Sequence, residues 1–427
     1  MLSIMGGMLV VLCVGLLLTG RINPFIIFST IPIIIAFIAG FSFTDIQGFF
    51  SAGLVKVTPI AVMFIFAILF FALMQEKGLF EPLIQHIIRK TNDHVEVIPL
   101  ATVLIATLAH LDGSGASTFL ICIPALLPIY QRVNLSPYLL LLLISASASV
   151  MNMLPWGGPV GRAASVIQVD PTQLWYPLIP IQISALVILM ISAYILGLKE
   201  RSRILQYSTN NDHPTPSIGR PSIELPPLWW KNFTLTIALI GILMGGFFPS
   251  ALVFMMGLSL ALLINRLSAV DQRDFMNRNA WNALQMAMII FAAGIFLGVL
   301  KESKMLHALA ENLVGILPEL LLTHIHIMIG FLGVPFELIL NTDAYYFALL
   351  PIVEQTVSPF GVTSTSVVYA LLIGNIIGTF VSPFSPAVWL ALGLSKLEIG
   401  PYLKYAFRWI WGLSIILMCI AWGVGLF

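Results

Sequence analysis

The run His110-Leu-Asp-Gly-Ser-Gly-Ala-Ser-Thr118 breaks an apolar stretch that extends over residues 97–130. A second break, Pro335-Phe-Glu-Leu-Ile-Leu-Asn-Thr-Asp343, divides residues 317–352. Hydrocarbon offers no hydrogen-bond partners, so polar, glycine-rich backbone at membrane depth must be buried in protein or line a cavity. Each stretch therefore reads as a re-entrant helical hairpin with a polar tip. Of the 427 residues, 59% are hydrophobic and only 9% are charged, whereas soluble domains carry about 25% charged residues. Most of the outer surface must face a lipid bilayer. The net charge of +1 and the scattered basic residues give no case for a nucleic-acid partner.

Around the two hairpins lie ten apolar runs long enough to span a bilayer. They are 2–19, 24–40, 59–74, 137–154 and 174–198 in the first half, and 230–247, 250–264, 284–300, 364–381 and 403–426 in the second. The first run lacks a basic leader and a small-residue cleavage site, so it is expected to be a retained helix. Residues 199–228 form the longest polar segment and read as a linker between halves, giving a first repeat over 1–198 and a second over 229–427. Cys13, Cys122 and Cys419 sit in apolar runs without metal spacing and read as packing residues.

The halves match in register. Asp45 and Phe49 align with Asp271 and Phe275 at an offset of 226, as do Glu76 and Glu302. Pro124 aligns with Pro351, and Pro159 with Pro386, at 227. Five spans per repeat is odd, so the second repeat is expected to be inverted, an arrangement common in transporters. Strict alternation places Lys56, Arg162, Lys301 and Lys304 toward one side and the other sixteen Lys and Arg opposite. Basic residues mark the cytoplasm, so both termini are expected outside and the linker inside. The fold expected is an all-α polytopic membrane protein of two inverted repeats, each with five spans and one re-entrant hairpin.

Charged and polar groups at membrane depth are functional candidates by default. At the first tip, Ser114, Gly115, Ala116 and Ser117 let the backbone approach a ligand, and the helix beginning there aims free N–H groups at it. Asp112 reads as a proton or cation site. The matching tip, Asn341-Thr342-Asp343, offers an amide, a hydroxyl and a second carboxylate, and Asp343, like Asp112, reads as a proton or cation site. Two further spans are broken by proline, at Asn152-Met-Leu-Pro-Trp-Gly-Gly-Pro-Val-Gly-Arg162 and at Thr379-Phe-Val-Ser-Pro-Phe-Ser-Pro386. Freed carbonyls there, with Asn152 and Thr379, can coordinate a cation. Gly157, Gly158, Ser382 and Ser385 complete the substrate-facing set. Arg162 is the residue suited to holding a carboxylate, because a guanidinium binds one bidentately. Glu337 precedes the second tip and could join a proton path. Glu76 and Glu302 read as interfacial anchors. No phosphate-cradling loop, His-Glu-x-x-His or nucleophile elbow is present, so an enzyme is not expected.

At these motifs the sequence resembles the citrate–metal–proton symporter family (CitMHS) of the ion transporter superfamily. Leu111-Asp-Gly-Ser-Gly-Ala-Ser-Thr-Phe-Leu, Met151-Asn-Met-Leu-Pro-Trp-Gly-Gly-Pro-Val-Gly-Arg-Ala-Ala and Asn341-Thr-Asp-Ala-Tyr-Tyr-Phe-Ala-Leu-Leu-Pro carry the resemblance. It implies co-transport of citrate with a divalent cation, Mg²⁺ or Ca²⁺, coupled to protons, in a bacterial inner membrane. No permanently bound cofactor is expected. The resemblance also implies scaffold and transport parts, often in a homodimer that works as an elevator. Sodium-coupled relatives carry Ser-Asn-Thr at both tips, whereas the first tip here reads Ser114-Gly115-Ala116. That leaves room for proton coupling. A sodium-coupled di- or tricarboxylate symporter is the alternative within the class, and a gated ion channel the alternative outside it.

Overall fold

The computed structural model describes residues 1–91, 94–207 and 225–427, and those residues form helices and no strand. The first half runs α1 (Leu2–Leu18), α2 (Pro24–Ile38), α3 (Phe43–Glu76), α4 (Glu81–Lys90), α5 (Ile98–Ala109), α6 (Gly115–Arg132), α7 (Pro137–Met151), α8 (Gly158–Ile167), α9 (Pro171–Trp175) and α10 (Ile179–Tyr207). The second runs α11 (Trp229–Gly245), α12 (Ser250–Ile264), α13 (Ala269–Glu302), α14 (Met305–Ile316), α15 (Glu319–Leu322), α16 (Ile325–Phe331), α17 (Gly333–Ile339), α18 (Leu350–Val357), α19 (Ser364–Ile376), α20 (Pro386–Ser395) and α21 (Ile399–Gly423). Helix α10 continues to Tyr207, past the residue-199 boundary expected for the linker. Most of that linker lies outside the described residues.

Among the described residues, four helices are long and apolar enough to cross a membrane: Phe43–Glu76, Pro171–Gln206, Ala269–Glu302 and Ile399–Gly423. The pair Gly333–Ile339 and Ala344–Phe360, bent by 116°, would make a fifth. The remaining apolar helices have 10–17 residues, so several of the expected spans are short helices ending in irregular backbone. Conversely, α3 and α13 begin well before the expected spans at 59 and 284. Hydropathy marks only the apolar part of a helix. The polar first turns are fixed by capping boxes, Ser42 with Asp45 and Ser268 with Asp271, each pair sharing three hydrogen bonds.

The most extensive packing joins α3 to α13, with α12 on α3 and α2 on α13. The two long helices are antiparallel: Phe49 lies against Gly298, while Glu76 meets Arg278. They touch through glycine. A Cβ on Gly53 would sit 2.0 Å from the Gly294 carbonyl oxygen, so the backbones meet directly, as small residues permit in lipid. The ends are tied reciprocally. Arg278 pairs with Glu76 at 2.9 Å and Lys56 with Glu302 at 2.9 Å. Glu76 and Glu302 thus face partner helices.

A second group of helices packs α5 on α6, α7 and α10, α6 on α20, and α19 on α16, α17 and α21. Helices α5 and α6 are joined by a 3₁₀ turn at His110–Asp112. The second interrupted stretch is more fragmented than expected. It holds α16, α17 and a π-helix at Ala344–Leu349 before α18. The wider turn ends where the Leu350 N–H bonds the Tyr345 carbonyl five residues earlier, just before Pro351. Cys13 and Cys122 are buried, whereas Cys419 is exposed.

Candidate functional site

The two tips and the two proline-broken segments converge on one cavity of about 610 Å³. It lies between the two helix groups, with Leu17, Asn23, Phe64, Ile68, Gln285 and Met286 supplied by α1–α3 and α13 and the connection between α1 and α2. Of the residues singled out in the sequence, Gly115, Asn152, Gly158, Arg162, Asn341, Thr342, Asp343, Thr379 and Ser385 line it. Asp112, Ser114, Ala116, Ser117, Gly157 and Ser382 are not on its wall.

The first tip is held by its own side chains. Gly113 takes a φ of 72°, a left-handed conformation that turns the chain. The Asp112 carboxylate accepts a hydrogen bond from the Ser114 amide at 2.8 Å and another from the Ser117 hydroxyl. Ser114 caps α6 by accepting from the Ser117 amide. Asp112 therefore has a clear positioning task. Asp112→Ala should lower stability by about 1–2 kcal/mol, because half-buried donors lose their acceptor. Asp112→Asn, which keeps an acceptor for the Ser114 amide, should lose less. Thermal melting of the purified variants reads the difference, and equal losses would assign the carboxylate's charge rather than its geometry.

Behind this tip, the buried His110 ring bonds Thr118 at 2.7 Å and Asn152 at 3.0 Å. The Trp156 indole donates to the Leu111 carbonyl at 2.8 Å, so tip and broken segment are fastened together. Gly115 is in close contact with the Phe380 ring, 2.2 Å from the position of a Cβ. The first tip thereby seats against the second broken segment.

At the second tip, Asn341 accepts from the Ala344 amide at 2.8 Å and donates to the Leu17 carbonyl at 3.3 Å. The Arg162 Nε donates to the Asp343 carboxylate at 2.7 Å, with side-chain exposures of 10% and 12%. This ion pair joins α8 to the second tip. An arginine has five N–H donors, and no other acceptor for the Arg162 side chain is found among the described residues. Helices α6, α8 and α20, whose caps are Ser114, Gly157 and Ser385, all begin beside the cavity. Their first N–H groups carry the positive end of the helix dipole.

Three participants carried little signal in the sequence. Asn375 is a single amide inside an apolar helix, Gln285 lies on α13, and Phe380 looks like any core aromatic. Only placement beside the tips reveals them.

Apolar helices, four among the described residues able to cross a bilayer, with a half-open cavity of mixed polar and apolar lining between two packed groups, define a multi-pass membrane protein. A model of the citrate transporter family matches residues 1–374. A Bacillus subtilis (strain 168) protein named as an Mg(2+)/citrate complex secondary transporter is 33% identical over 429 residues, covering 100% of this chain and 99% of its own. Another from the same organism, named as a citrate transporter, is 31% identical over 430 residues with 100% and 99% covered. The chain belongs to the citrate transporter family. Among solved structures, the fold is similar to the YdaH transporter of Alcanivorax borkumensis, with a TM-score of 0.61, 16% identity and 87% of each chain covered. It is also similar to MtrF of Neisseria gonorrhoeae, with a TM-score of 0.57, 15% identity and 88% and 82% covered.

Proposed function

We propose that this chain is a secondary active transporter that takes up citrate as a complex with a divalent cation, Mg²⁺ or Ca²⁺, in symport with protons. The observation that carries this reading is the Arg162 guanidinium, anchored through Nε to Asp343 with its two terminal nitrogens left for a ligand. A carboxylate can take both terminal groups at once. The N-termini of α6, α8 and α20 add positive potential at the same cavity. The relative named for the Mg(2+)/citrate complex supports the substrate. Binding a divalent cation to citrate lowers its net charge, and with it the cost of carrying the anion through a low-dielectric path. The metal travels as part of the substrate rather than as a resident ion.

In this reading, α1–α3 and α11–α14 act as scaffold and the remaining helices move as the transport part. The halves are inverted repeats, and two copies form a homodimer in a bacterial inner membrane with both termini outside. The cavity between the two helix groups supports alternating access by an elevator-like shift.

Uptake of labelled citrate into proteoliposomes tests the function. With an inward proton gradient and Mg²⁺ or Ca²⁺, citrate should accumulate, and a chelator should stop it. Accumulation that ignores the chelator, or that follows a sodium gradient instead, would overturn the metal–proton reading.

A further inference from the structure

We propose that Glu337 carries the transported proton, and that its protonation is linked to binding of the anion in the adjoining cavity. This rests on the proton-symport reading above and assigns its coupling site.

Glu337 lies on α17 and is only 1% exposed. No cation stands within ion-pair distance of it among the described residues; Arg162, the basic group whose field reaches it, is committed to Asp343. A carboxylate buried without a counter-ion is costly, so the neutral acid is a state the site must accommodate. The hydrogen bonds allow it. Oε1 meets the Thr342 hydroxyl at 2.6 Å, and Oε2 meets the Asn375 amide nitrogen at 2.8 Å. A hydroxyl donates to a carboxylate and accepts from a carboxylic acid equally well. The Asn375 amide nitrogen also donates to the Gly333 carbonyl at 3.2 Å, which holds it as a donor to Oε2 in either state and leaves Thr342 Oγ1 as the acceptor for the protonated acid. The Ser382 hydroxyl donates to the Glu337 carbonyl at 2.7 Å and fixes the backbone beneath.

Thr342 lines the cavity, while Glu337 stands behind it. A proton from the cavity adds to Thr342 Oγ1 as the hydroxyl's own hydrogen passes to Glu337 Oε1, and release reverses the two transfers. The other ionisable groups facing Glu337 are Arg162 and Asp343, which together are neutral, and the phenols of Tyr345 and Tyr346. Ionised Glu337 therefore gives this cluster one net negative charge beside the site of an anion. Protonation removes that charge. By linkage, anion binding must favour protonation by the same factor. The position matching Glu337 at the first tip, at the offset of 227, is His110. Both its ring nitrogens are occupied.

The test uses the full-length chain and Mg²⁺–citrate as probe, comparing wild type, Glu337→Gln and Glu337→Asp. Infrared difference spectra across pH should show a protonated-carboxyl band that disappears in Glu337→Gln. At alkaline pH, Glu337→Gln should bind the probe on the order of tenfold more tightly than wild type; at acid pH the two should agree. Citrate's own ionisation is common to both proteins, so the ratio isolates the residue. Proton-driven accumulation should be lost in Glu337→Gln, with citrate exchange reduced far less, and Glu337→Asp should restore pH dependence. A missing band, a ratio that is flat with pH, or intact proton-driven accumulation in Glu337→Gln would each overturn the proposal. If the band titrates but the wild type neither binds nor moves Mg²⁺–citrate, the substrate reading falls and the proton site stands.

Discussion

Replacing Arg162 with methionine should reduce uptake of the metal–citrate complex by at least about thirtyfold, since truncating one member of a buried charge pair costs about 2–5 kcal/mol. Two losses combine. The terminal nitrogens that would hold a carboxylate disappear, and Asp343 remains buried without its partner at 2.7 Å. Breaking a buried pair from one side destabilises a protein by about 3–5 kcal/mol, while replacing both members with apolar groups is often neutral. The double variant Arg162→Met with Asp343→Leu should therefore recover thermal stability but not uptake. That separation distinguishes binding from folding. Arg162→Lys keeps a charge but loses the planar fork, and its uptake should fall between those of methionine and wild type. Normal uptake in Arg162→Met, measured in proteoliposomes at matched protein content, would remove Arg162 from the site.

Gly53→Leu should prevent recovery of folded, monodisperse protein. A Cβ at this position would lie 2.0 Å from the Gly294 carbonyl oxygen and 3.1 Å from Gly298 Cα. Both neighbours are backbone of a 34-residue helix, so no rotamer change relieves the clash. Overpacking of this kind costs about 1–3 kcal/mol where side chains can yield, and more where they cannot. Gly48→Leu is the control. It lies on the same helix, is exposed, and has nothing within 4 Å of its Cβ position. Size-exclusion profiles should separate the two variants, and equal profiles would show that the α3–α13 contact has slack.

The helical architecture and the polar interruptions were legible because membrane depth makes them expensive. A Gly-Ser-Gly run or paired prolines between apolar arms has few explanations other than a turn that something polar approaches. Partnership was not legible. Arg162 and Asp343 are 181 residues apart in sequence, and nothing local indicates that they hold one another. Asp112 reads as a free carboxylate until the Ser114 amide and Ser117 hydroxyl are seen around it. Glu76 and Glu302 stand out as equivalent positions, yet nothing local indicates that Arg278 and Lys56 will meet them. Helices extend beyond the apolar runs wherever capping, rather than hydropathy, sets the boundary. The π-turn at Ala344–Leu349 has no marker that stands out in an apolar run.

The glycine face that joins α3 to α13 also sets a timetable. The first turn of α13 leaves the ribosome 226 residues after that of α3, the separation of Asp45 and Asp271. At about 5–20 residues per second, that delay lasts roughly 10–45 s. Throughout it, the most extensive helix contact of the finished protein has only one side. The nascent first half must wait in the bilayer with its backbone-exposing stripe against lipid or a chaperone, open to any other small-residue helix that drifts by.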